Sequence, residues 1–75
     1  MELDLEKVDR CVLALLSLGL HDDGRAWKGF DWDSLDRLYQ QGLIANPRGR
    51  AKSVQMTIAG EARSRQLLEE LFGKH

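Results

Sequence analysis

The sequence predicts a single α+β domain, mostly helical. The expected order is a long helix, a short connector helix, a second helix, a two-stranded β-hairpin and a C-terminal helix. Three observations carry this expectation. Apolar residues recur at helical spacing in three segments. The run Asn46-Pro47-Arg48-Gly49-Arg50 places turn residues between two short β-prone stretches. Residues suited to capping, Asp31 or Asp33 and then Thr57, stand at the heads of the second and last helices. A chain of 75 residues has room for one core.

The first helix is expected over residues 4–20, with Leu5, Val8, Val12, Leu15 and Leu16 on one stripe and Glu6, Lys7, Asp9 and Arg10 elsewhere. From Cys11 onward it is apolar nearly all round (CVLALLSLGL), so it needs cover on more than one side, and a second subunit is a candidate supplier. Gly24 reads as the stop. The connector RAWKGFDWD then sets Trp27, Phe30 and Trp32 within six residues. These aromatics are expected to plug the core between helices; a stacking platform for a ligand or nucleic acid is the alternative.

The second helix is expected to end at Gln41, with Trp32, Leu35, Leu38 and Tyr39 inward and Asp33, Asp36, Arg37, Gln40 and Gln41 outward. Gly42 serves as its left-handed stop, and Leu43 supplies the accompanying hydrophobic contact. Residues 43–45 form one strand of the hairpin. Residues 53–57 form the other, with Val54 and Met56 on one face. Thr57 caps the last helix, whose stripe is Gly60, Ser64, Leu67, Leu68, Leu71 and Phe72. Glycine inside a helix costs about 1 kcal/mol, so Gly60 at the start of that stripe implies a close backbone approach to the hairpin.

Charge is divided unevenly. Residues 1–36 hold nine acids and four bases; residues 37–75 hold three acids and seven bases. The basic half is either a footprint for phosphates or a complement to the acidic half of a second copy. A lone Cys11 excludes an internal disulfide and a cysteine zinc site. The acidic start MELDLEKVDR does not read as a targeting peptide. The longest apolar run is half the roughly 20 residues that span a bilayer, so a cytoplasmic protein that does not enter membranes is expected. His21, Asp22 and Asp23 are adjacent and point different ways, and His75 is the last residue, so no metal site is expected. The glycines fit caps and turns rather than a phosphate loop, and no serine has a histidine spaced to activate it. Neither catalysis nor a cofactor is expected.

The order of elements is that of a winged helix-turn-helix domain. The segment LDRLYQQGLIANPRGRAKSVQMTIAGEA resembles the recognition helix and wing of bacterial regulators of the MarR and PadR kind. The resemblance rests on Leu35 and Leu38, Gly42-Leu43-Ile44, the basic loop from Arg48 to Lys52, and Met56-Thr57-Ile58-Ala59-Gly60. Over nearly its full length, including RAWKGFDWD and PRGRAKSV, the chain also looks like a family of short bacterial proteins of unknown function.

The winged-helix resemblance implies binding of duplex DNA by a homodimeric transcription regulator. Arg48, Arg50 and Lys52 alternate along the wing and so share one side of an extended arm, with Lys28, Arg37 and Gln40 extending the surface. Five phosphate contacts correspond to a log–log salt slope of about −4.5. The alternative is a solvated hairpin tip whose charge protects an edge strand. The dimer interface is expected to use Val12, Leu16 and Leu20 of the first helix with Leu67, Leu71 and Phe72 of the last. Asp31, Asp33 and Asp36 at the front of the second helix repel a polyanion. They favour a different reading, a protein-interaction adaptor that uses this acidic face and the aromatic connector.

Overall fold

A computed structural model describes residues 1–21 and 23–74. Helix α1 spans Leu5–Leu16, β1 Leu20–His21, β2 Arg25–Trp27, α2 Trp32–Gln40, β3 Ser53–Gln55 and α3 Ile58–Phe72. The architecture is α+β and mostly helical, with a three-stranded antiparallel sheet in the order β1-β2-β3. Ala26 sits opposite Leu20 on one side and Val54 on the other.

Capping follows the sequence. The Asp4 side chain accepts from the Lys7 amide at the head of α1, Asp31 from the Ser34 amide at the head of α2, and Thr57 from the Gly60 amide at the head of α3. Each carboxylate or hydroxyl satisfies an amide that has no partner in the first helical turn.

Three segments differ from expectation, one of them the hairpin, whose residues 43–45 make an isolated bridge at Ile44 instead of a strand paired with β3. A connector helix, short at most, was expected over residues 22–31, of which 22 lies outside the described residues; β2 forms at Arg25–Trp27 instead, and only residues 28–31 separate it from α2. Among the described residues no helix lies between α1 with its 3-10 turn and α2, and the element directly before α2 is a strand. The reason is a pairing partner: β3 lies along β2, while residues 43–45 contribute only an isolated bridge, Ile44 to Met56. Helix α1 also stops four residues early. A tight 3-10 turn at Ser17–Gly19 turns the chain so that Leu20 starts the sheet.

The core joins Val12, Leu13, Ala14 and Leu16 of α1 to Ala26, Leu35, Leu38, Ile44, Val54, Met56 and Leu67. This corrects part of the expected dimer interface. Val12, Leu16 and Leu67 are spent inside the chain's own core, and Leu20 packs half-buried against it. Leu71 and Phe72 remain at the surface. Small residues let α1 and α3 approach closely: the buried Ser64 hydroxyl donates to the Leu13 carbonyl and also bonds the Ser17 hydroxyl.

The strand-to-α3 junction turns on Gly60. A Cβ placed there would lie 1.6 Å from the Leu43 carbonyl oxygen, which itself accepts from the Thr57 amide and hydroxyl. Gly60→Ala therefore sets a propensity gain of about 1 kcal/mol against a backbone clash. The clash should win, lowering stability by about 3 kcal/mol, as read from urea midpoints. An unchanged or raised midpoint would contradict the close approach.

Candidate nucleic-acid interface

The basic segment of residues 46–52 is a loop held at several points. Pro47 is buried beneath it, and the Asn46 side chain accepts from the Arg48 amide at 2.9 Å, fixing the turn. Lys28, one residue past β2, fastens both ends. Its amide donates to the Lys52 carbonyl at 3.0 Å. Its ammonium donates to the Pro47 carbonyl at 2.6 Å and the Gly49 carbonyl at 3.3 Å.

The loop leans on the first turn of α2. Trp32 was expected in the core but is 47% exposed. The Lys28 ammonium lies 5.6 Å and the Arg48 guanidinium 5.1 Å from its ring centre, both within cation–π range. Arg48 also donates to Asp36 at 2.5 Å, and that carboxylate pushes the guanidinium pKa further up. Trp27, 56% exposed, stacks on His21 with ring centres 4.4 Å apart. Phe30 alone of the three connector aromatics packs against the core.

The expected contact residues therefore separate. Arg48, Arg50 and Lys52 stand exposed on the loop, and Arg50 and Lys52 have no acidic partner among the described residues. Lys28 joins them by holding the loop from below, a role that no local sequence signal announces. Gln40 is exposed on α2. Arg37 does not join them, which corrects its expected place. It turns toward α1 and donates to both oxygens of Asp9, at 2.6 and 2.9 Å. Asp9 is 5% exposed, and the hydrogen bond from Arg37 holds its carboxyl below the usual aspartate range against the opposing effect of burial.

The front of α2 is less acidic in effect than its sequence. Asp31 is occupied as the cap and Asp36 is paired to Arg48, so Asp33 is the one of the three without a side-chain partner among the described residues. His21 Nδ1 bonds the Gly19 carbonyl. No group of three potential metal ligands gathers among the described residues.

A family profile described as a domain of unknown function, DUF6429, matches residues 4–74. The chain belongs to this family. A curated protein of similar length, described as uncharacterized protein y4hR of Sinorhizobium fredii, is 50% identical over 72 residues, covering 96% of this chain and 97% of that protein. No solved structure matches the chain. Membership in DUF6429 bears out the full-length resemblance to short bacterial proteins of unknown function. No described helix is long and apolar enough to cross a membrane.

The Asp9–Arg37 pair generates a pH prediction. The folded pKa of Asp9 lies below its unfolded value of about 3.9. Its contribution to stability is thus present above that value and lost as pH falls through the folded one. Asp9→Asn should cost about 2 kcal/mol at pH 7, within the usual range for a hydrogen bond to a charged group. It should also flatten the fall in stability below pH of about 4. Thermal melts across pH check both, and parallel acid limbs in the two proteins would remove Asp9 as the cause.

Proposed function

We propose that the protein is a winged-helix-like DNA-binding module, working as a homodimeric cytoplasmic transcription regulator and gripping the duplex backbone with its basic loop. The observation that carries this reading is the fastening of residues 46–52 by Lys28 and Trp32. A loop held in this way presents Arg50 and Lys52 without first paying the entropy of ordering it. Arg48 can exchange Asp36 for a phosphate, because an exposed pair is held weakly.

The mode of binding is phosphate-dominated. The exposed residues of α2 are Trp32, Asp33, Tyr39 and Gln40, and of these only Gln40 carries the bidentate amide that reads adenine. With Arg37 engaged by Asp9 and Lys28 by the loop carbonyls, three cations remain (Arg48, Arg50 and Lys52), which corresponds to a salt slope of about −2.7.

A second reading has its own support. Trp32 and Tyr39 are exposed beside Asp33 and Arg48, and Trp, Tyr and Arg dominate protein-binding hot spots. An adaptor would use this face for a protein partner.

Fluorescence anisotropy of a labelled random duplex at two salt concentrations separates them. Micromolar binding should weaken with salt and collapse in the triple variant Arg48→Ala, Arg50→Ala, Lys52→Ala. Asp33→Asn with Asp36→Asn should tighten it severalfold by removing two repulsive charges and freeing Arg48. Absence of binding at low salt would overturn the DNA reading and put the adaptor first. An adaptor should instead lose its partner when Asp33 and Asp36 are neutralised.

A further inference from the structure

The folded chain leaves an apolar face uncovered, built from both long helices. On the α1 side, Cys11 and Leu15 are half-buried, and Leu18 in the following turn is 72% exposed. These positions are four and three apart, so they continue one stripe of the helix. On the α3 side Leu68 is half-buried, and Leu71 and Phe72 are exposed. Leu15, Leu18, Leu68 and Phe72 line a single shallow depression. Contiguous apolar surface of this kind marks an interaction site rather than ordinary exposure.

The rim identifies the occupant. Arg65 and Glu69 border the same depression, one turn apart on α3. A partner of uniform charge would be attracted by one of them and repelled by the other. A second copy related by a two-fold axis is attracted by both. With the two α3 helices antiparallel, Arg65 of each chain faces Glu69 of the other, because a two-fold interface must be self-complementary. Arg65 at present contacts Glu61 at 2.8 Å in an exposed pair, which costs little to exchange. Glu69 has no basic partner among the described residues.

We infer that the protein pairs with a second copy of itself across this face, the leucines and Phe72 forming the centre and reciprocal Arg65–Glu69 contacts the edge. This rests on the homodimer proposed above and assigns its surface. It also replaces the buried residues Val12, Leu16 and Leu67 with neighbours that do reach solvent. The basic loop belongs to other elements, so pairing here leaves it free.

Sedimentation velocity over a concentration series reads the state, with circular dichroism confirming that each variant folds. The wild-type chain should sediment as a dimer, and Phe72→Glu, an exposed substitution, as a monomer. Arg65→Glu alone and Glu69→Arg alone should each weaken pairing at least about tenfold, since like charges then face each other. An equimolar mixture of these two variants should recover a heterodimer, because each supplies the charge that the other lacks.

A dimer indifferent to Phe72→Glu and to both charge variants would overturn this surface while leaving a homodimer in place. A wild-type chain monomeric at every concentration would overturn the surface and the homodimer together. Neither result touches DNA binding by the loop, which the anisotropy titration decides by itself.

Discussion

Arg37 reaches across from α2 to donate to both oxygens of Asp9 on α1, and Ser34, one turn earlier, is drawn into the same network through its hydroxyl. Much of the surface follows from this contact. A buried carboxylate needs its partner, so α2 is rotated to bring Arg37 and Ser34 inward beside Leu35 and Leu38. That rotation carries Trp32 and Tyr39 outward and sets Asp36 where Arg48 can reach it. The loop then has an aromatic ring and a carboxylate to settle on. An ion pair between two helices thus decides the character of a surface to which neither of its residues contributes.

A second joint fixes where the loop begins and ends. The Thr57 hydroxyl caps α3 through the Gly60 amide and donates to the Gly42 and Leu43 carbonyls at the exit of α2. Gly42 itself is left-handed, with φ of 77°, so the chain leaves α2 on a fixed heading. Residues 43–45 and β3 are thereby brought together with the basic loop strung between them. Helix propensity loses to packing at Gly60 because no side chain fits against Leu43.

The parts of the fold that were legible in the sequence are those written locally. Asp31 and Thr57 announce helix starts within three residues of the amides they satisfy, Gly42 announces a stop, and Gly60 stands out by its helix cost. What was not legible depends on partners far along the chain. Strand β2 has three residues, too few to show a period, and it exists because β3 lies beside it. Trp32 looked like core because it shares a stripe with Leu35; its exposure follows from Asp9, 23 positions away. The basic loop was visible as composition, but its fastening by Lys28 to Pro47 and Gly49 was not, since those are carbonyl contacts available to any sequence.

The proposed grip on DNA is a demanding task for so small a chain. Two unpaired cations and one that must exchange its partner would give a single loop modest hold on a polyanion, and Asp33 would work against it. Order in the loop lowers the entropic cost of each contact but adds no charge. Two loops on one rigid body change the arithmetic. Once the first is seated, the second meets its phosphates at a high effective concentration, and affinity rises without any new residue, provided the spacing fits the duplex. The uncovered face along Leu18, Leu68 and Phe72 therefore belongs to the same problem as the basic loop. The proposed pairing would hide apolar surface that a monomer exposes, and it would convert one weak grip into two linked ones.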